Sequence, residues 1–488
     1  MNTPLRRVAI AVMLMIVALL MNATYVQVIK ADDYRTDPRN SRVLLDEYSR
    51  QRGQISAGGT VLANSVATED RYKYLRTYPN TPEAYSPVTG FYSMQYGSNG
   101  LERAEDSVLN GSDSHLFGSR LVDMVSGRDP RGGNVLTTID PAMQQVAYDE
   151  LTSKGYTGSV VAIEPSTGKI LTMVSTPSYD PNQLSGHDGA RGTQAWEALS
   201  ADPRQPMLNR AVSQTYPPGS TFKVVVTAAA LANNIATPED QFTAAPNITL
   251  PGTSTPLENY NGSNCGSGQT ASLYEAFRLS CNTAFAELGV KVGAARLKDQ
   301  AANFGIGEHR SIPIPVAEST VGPISDNAAL SQSSIGQRDV ALTPLDNAVI
   351  AATVANGGVR MQPYLIDQLQ GPDLSELSKT KPVSLGQAFN AQVASSLTNL
   401  MVASEGNTPG GKSSRYQIAS KTGTAEHGSD PRNTPPHAWY IAFAPAQNPK
   451  IAIAVIVENG GDRALGATGG KVAAPVARAV LDAGLRGG

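Results

Sequence analysis

Arg6 and Arg7 stand in front of 22 residues, Val8 to Ile29, that carry no charge at all. As a helix at about 1.5 Å per residue this run reaches ~33 Å, enough to cross a bilayer. No other feature constrains the chain as strongly, because it decides the medium in which the rest must fold. The two arginines hold the amino terminus in the cytoplasm, so everything after Lys30 is expected outside the membrane. A cleaved signal peptide is the competing reading, but the apolar core is long for one and no small-x-small cleavage site comes after it. The expectation is a cytoplasmic tail at 1–7, an uncleaved transmembrane anchor at 8–29 and exported protein beyond. No later segment is long and apolar enough to span; Ile451 to Val457 has the length of a strand.

The exported part reads as folded protein of two or three domains: of 488 residues, 41% are hydrophobic and 17% charged. A net charge of −3 argues against a nucleic-acid partner. Five histidines and two cysteines, none clustered at ligand spacing, point to no metal site, and no P-loop or dinucleotide fingerprint points to a nucleotide cofactor. No cofactor is expected.

Residues 30 to about 150 are polar, with many short turn signals such as Gly58-Gly59, and read as a small irregular domain. Asp140-Pro141 reads as the cap and first position of a helix. At Gly158 the texture changes. Ser159 to Ile163 and Lys169 to Val174 are β-rich runs around the turn Glu164 to Gly168, which is a hairpin pattern. Ser178 to Pro218 reads as a long loop, and Val224 to Leu231 as a buried helix. Trp439 to Ala444 and Ile451 to Val457 are two more strands around Pro445 to Pro449, and Pro475 to Leu485 has helical spacing. Strands at both ends with helices between give a mixed α/β domain over 151–488.

Three short motifs carry chemistry. Serine is a poor nucleophile until a base takes its proton. In Ser220-Thr221-Phe222-Lys223 a serine and a lysine at i and i+3 share one helix face. Pro217-Pro218-Gly219 precedes them as a helix start, and the apolar run behind them buries the lysine, which lowers its pKa toward that of a base. The same Ser-x-x-Lys spacing at Ser166–Lys169 and Ser378–Lys381 lacks such a helix and reads as solvated loop. Ser280-Cys281-Asn282 offers a hydroxyl that relays a proton and an amide that holds a peptide carbonyl. The literal Ser325-Asp326-Asn327 is better explained as a helix cap. In Lys421-Thr422-Gly423-Thr424, Gly423 lets a strand approach the nucleophile closely. The N–H of Thr424 is expected to pair with that of Ser220 as an oxyanion hole, and Lys421 and the Thr422 and Thr424 hydroxyls to bind a substrate carboxylate; the alternative is an ordinary strand with a solvated lysine.

In this order, behind an anchor, the three motifs resemble those of serine β-lactamases and penicillin-binding proteins. The resemblance covers most of the chain. It includes the hairpin with its Pro-Ser-Tyr-Asp-Pro-Asn tail ending at Asn182, Tyr216 to Lys223, Ser334 to Gln337, Leu342 to Leu345, Ala355 to Gly358, Lys421 to Glu426 and His437 to Trp439. The short form without further carboxy-terminal modules is similar to the A-type members of mycobacteria and related actinobacteria. Arg52-Gly53-Gln54-Ile55 matches an amino-terminal segment of the family, but the Asp-Arg-x-Gly that often comes next is here Ser56-Ala57-Gly58-Gly59.

The resemblance implies the penicillin-recognising serine transpeptidase fold: an antiparallel sheet flanked by helices, with a smaller irregular N-terminal domain. About 130 residues between Lys30 and Gly158 leave no room for a glycosyltransferase, so a monofunctional class B enzyme with a pedestal or docking domain at 30–150 is implied. Ser220 then attacks the penultimate D-alanine of a peptidoglycan stem peptide, Lys223 takes its proton and Ser280 relays it to the leaving D-alanine. β-Lactams trap the same serine. The implied partners are stem peptides, β-lactams, the membrane and divisome or wall-synthesis proteins. A membrane-bound β-lactamase or β-lactam sensor shares the motifs, and a septal scaffold is the reading from another class. Cys265 and Cys281 are the only cysteines; export permits a disulfide between them, the alternative being two small buried side chains.

Overall fold

In the computed structural model the chain is described over residues 3–30, 48–116, 131–411 and 415–486. The apolar leader is one helix, α1 (Thr3–Thr24), continuing as a π-helical turn to Ile29. None of its side chains is buried against the rest of the chain. Among the described residues it is the one helix long and apolar enough to cross a membrane.

The N-terminal region is more regular than its polar sequence suggests. Strands β1 (Ile55–Ala57), β2 (Thr60–Ala67), β3 (Tyr74–Thr77) and β4 (Asn134–Thr137) lie in one six-stranded sheet. The other two strands, Ile366–Gln370 and Glu376–Lys379, arrive from more than 200 residues downstream, Leu369 pairing with Val135. The sheet thus crosses the expected boundary near residue 150. Gly58 and Gly59, both at positive φ, form the two-residue turn between β1 and β2. The Arg52-Gly53 pair has an interior role. Arg52 Nε and Arg76 Nε donate to the two oxygens of buried Glu102, at 2.7 and 2.6 Å. A Cβ on Gly53 would lie 1.7 Å from Gly133 O, so only glycine fits there.

Asp140 caps α2 (Pro141–Thr152), accepting from Ala142 N at 2.9 Å and Met143 N at 3.0 Å. The hairpin strands are β5 (Gly158–Ile163) and β6 (Ile170–Thr176). With β7 (Ala419–Ala425), β8 (His437–Ala444) and β9 (Ile451–Val457) they form an antiparallel sheet in the order β7-β8-β9-β5-β6. It is buried on both faces, which is why β8 and β9 read as unbroken apolar runs. Ile453 and Val455 pack on one side against Ala147, Leu151 and the C-terminal helix Gly469–Arg486. Ala452 and Ala454 pack on the other side in the cluster that holds the helix Pro344–Ala355 and α3 (Lys223–Ala232).

The loop expected over Ser178 to Pro218 instead holds helices at Asn182–Ser185, Gly189–Ala201 and Arg210–Ser213. The longest is capped by Asp188 and buries only Gly192 fully; Ala195, Trp196 and Leu199 pack, partly buried, against Phe91, Tyr179 and Leu184.

Candidate active site

The nucleophile segment comes first. Gly219–Phe222 is a 3₁₀ turn leading into α3, which begins at Lys223 and not, as expected, at Ser220. Three residues per turn stack i over i+3, so Ser220 and Lys223 lie one above the other. Ser220 is half-buried and Lys223 fully buried. The approach to Ser220 is fastened at successive residues. Tyr216 exchanges two backbone hydrogen bonds with Leu342, both 2.9 Å. Trp439 Nε1 donates to Pro217 O at 2.9 Å, and Gly219 N donates to Gly336 O at 2.9 Å. Tyr216 OH and Arg210 Nε both donate to Glu458 Oε1, at 2.6 and 2.8 Å. None of these supports has a role legible in the sequence. Tyr216, Gly336 and Trp439 stand in the resembling segments, while Arg210 and Glu458 leave no signal.

The second segment is a corner between two helices. Helix α4 (Leu273–Leu279) stops because Ser280 takes the left-handed conformation, φ 62° and ψ 41°, and α5 (Asn282–Val292) starts two residues later. A non-glycine residue there costs about 1–2 kcal/mol. The corner turns the Ser280 carbonyl and hydroxyl toward both lysines. Lys223 Nζ donates to Ser280 O at 2.7 Å and Asn282 Oδ1 at 2.9 Å, with Ser280 Oγ 3.4 Å away. Cys281 is disulfide-bonded to Cys265, their Cα atoms 5.7 Å apart, which ties the loop before α4 to this corner.

The third segment is the edge strand β7. Lys421 is fully buried, and its Nζ donates to Ser280 Oγ at 2.8 Å and Thr422 O at 3.1 Å. Thr422 and Thr424 are half-buried on the alternate face. A Cβ on Gly423 would lie 2.8 Å from Pro218 O and 3.0 Å from Thr221 Cγ2; on Gly219 it would lie 2.7 Å from Thr424 O. Glycine at both positions therefore lets the strand and the nucleophile turn touch backbone to backbone.

Burial and the nearby Lys421 charge hold the Lys223 pKa far below the usual lysine range, and burial pushes Lys421 down to about 7. The ring centres of Phe285 and Phe277 stand 5.2 and 5.7 Å from Lys223 Nζ and Lys421 Nζ, respectively. Burial and the neighbouring His427 push His437 down to about 3.

The structure thus brings Ser220, Lys223, Ser280, Asn282, Lys421, Thr422, Gly423 and Thr424 into one site. The look-alike serines stay outside it. Ser166 is exposed in the hairpin turn, Ser378 is exposed on Glu376–Lys379, and Asp326 caps Asn327–Ser333 by accepting from Ala329 N at 2.8 Å.

Residues 158–482 match the family model for the penicillin binding protein transpeptidase domain. The chain belongs to the penicillin-binding transpeptidase family. Residues 52–135 match the model for the penicillin binding protein A dimerisation domain. This transpeptidase is 62% identical to the peptidoglycan D,D-transpeptidase PbpA of Mycolicibacterium smegmatis over the full length of both chains. It is 60% identical to PbpA of Mycobacterium tuberculosis, again over the full length of both. The solved structure of penicillin-binding protein A from M. tuberculosis as its ceftriaxone acyl-enzyme superposes with a TM-score of 0.88 at 60% identity. That match covers 90% of this chain and 99% of that one.

Proposed function

We propose that this penicillin-binding transpeptidase cross-links peptidoglycan stem peptides through an ester on Ser220. Lys223 carries the reading: it is buried, it stacks under Ser220, and its low pKa favours the neutral amine. A neutral amine has two N–H bonds, for Ser280 O and Asn282 Oδ1, and one lone pair for the Ser220 hydroxyl.

Ser220 Oγ attacks the carbonyl carbon of the penultimate D-alanine, and its proton passes to Lys223 Nζ. The oxyanion collects at the N–H groups of Ser220 and Thr424. The C–N bond then breaks. The terminal D-alanine leaves with its amine protonated from Lys223 through Ser280 Oγ, and an ester remains on Ser220. The amine of a neighbouring stem attacks that ester, gives up a proton by the reverse route and frees Ser220. Lys421, drawn back to its charged form by the negative charge of the bound substrate, holds the terminal carboxylate together with the Thr422 and Thr424 hydroxyls. A β-lactam undergoes the first half, but its leaving nitrogen stays tethered.

Arg6 and Arg7 keep the amino terminus of α1 in the cytoplasm and place the site outside the membrane. The N-terminal domain docks wall-synthesis or division proteins. A test supplies a pentapeptide donor and an amine acceptor to the membrane-embedded protein. The expected result is one D-alanine released per ligated product. D-Alanine release without ligation at any acceptor concentration overturns the transpeptidase reading in favour of a hydrolase.

A further inference from the structure

The oxyanion hole of Ser220 and Thr424 draws its N–H groups from two elements that are far apart in sequence, the nucleophile turn and strand β7. Something must fix their separation. Gly219 and Thr424 touch directly. A second brace is formed by Ser334 to Gln337, whose role the mechanism leaves unused. This turn closes the helix Asn327–Ser333, with Gly336 N donating to Ser333 O at 2.9 Å and Gln337 N to Gln332 O at 3.1 Å. It meets three neighbours. Ser334 lies so close to Gly289 of α5 that a Cβ there would be 1.8 Å from Ser334 Oγ. Gly336 O accepts from Gly219 N at 2.9 Å, and a Cβ on Gly336 would lie 2.0 Å from Gly219 O. Gln337 grips the residue after β7. With its amide oriented to satisfy both partners, Nε2 donates to Glu426 O at 3.2 Å and Oε1 accepts from Glu426 N at 3.1 Å.

A side-chain amide paired this way engages a strand end as a neighbouring strand would. Glu426 is two residues past Thr424. Adjacent residues of one rigid turn therefore hold the nucleophile turn through Gly336 and the strand end through Gln337.

We propose that Gln337 is a positioning residue that sets the width of the oxyanion hole; the proposal rests on Ser220 and Thr424 forming that hole. Gln337 acts only through the strand backbone. Its loss lowers the rate of the acylation step and leaves the preceding binding step unchanged.

The test uses the full-length protein in detergent with a chromogenic cephalosporin. It compares wild type with Gln337→Ala and with Gln337→Met, which keeps the volume and removes both hydrogen bonds. The acylation rate constant is expected to fall about 10- to 100-fold, the cost of a small misplacement of reacting groups. Pre-covalent affinity and a burst of one adduct per chain are expected to persist, and deacylation to slow in step because the same hole serves it. An acylation rate constant within about twofold of wild type in both variants overturns the proposal. So does a reduced burst in which the surviving fraction reacts at the wild-type rate, the signature of a folding role. If wild type itself forms no adduct on Ser220, the underlying reading of the site fails instead, and that result is separately visible.

Discussion

Lys421 Nζ donates to Ser280 Oγ at 2.8 Å, and Lys223 Nζ stands 3.4 Å from the same oxygen. One hydroxyl thus sits between two fully buried lysines. Two ammonium groups in so dry a space repel each other, and the cheapest relief is for one to lose its proton. The geometry selects Lys223 for that role, since it stacks beneath Ser220 and faces two oxygen acceptors that a neutral amine satisfies.

Replacement of Lys223 by alanine therefore removes the base. Acylation by penicillin is expected to slow by ~10²–10⁴, the usual contribution of a general base. Stopped-flow or labelling time courses measure it. Near-normal acylation in Lys223→Ala would move the base role to Ser280 or Lys421.

Lys421 makes a prediction about stability. Its pKa of about 7 in the fold compares with ~10.4 in an unfolded chain. Between those values the unfolded chain keeps a proton that the folded one has released, so stability rises with pH across that window. Below it the full penalty of a buried charge is present. Lys421→Met is expected to melt above wild type at pH 7, with an advantage that shrinks toward pH 10. Thermal melts at the two pH values decide; an advantage independent of pH contradicts the shift.

Cys265 and Cys281 lock the corner that aims Ser280 and Asn282. Closing a loop of about 15 residues contributes ~3 kcal/mol in the chain-entropy model. Cys265→Ser with Cys281→Ser is expected to lower the melting temperature and slow acylation several-fold without abolishing it, because neither sulfur takes part in the chemistry. Loss of all acylation in a folded double variant would show a role beyond tethering.

How legible each part is in the sequence depends on how it is held together. Strands β8 and β9 and helix α3 are legible because both faces of the sheet and nearly all of α3 are buried, leaving continuous apolar runs. The three motifs are legible because their chemistry needs particular side chains. The N-terminal sheet is not. Ile55–Ala57 is three residues long, β4 pairs with a strand at 366–370, and part of the interior is the Arg52–Glu102–Arg76 ion network, which reads as surface. The supports around Ser220 are hidden for another reason. Trp439 and Gly219 bind backbone oxygens, and such bonds leave no mark on the residue that accepts them.

Both halves of the proposed chemistry pass through an ester on Ser220, which forms when Ser220 acts as the nucleophile. Peptide mapping of the penicillin adduct on the intact, membrane-extracted chain tests this most directly. The prediction is a single adduct, of one penicillin per chain, on the peptide carrying Ser220, and none in Ser220→Ala. An adduct on Ser166, Ser280, Ser325 or Ser378 in wild type, or an undiminished adduct in Ser220→Ala, would contradict it.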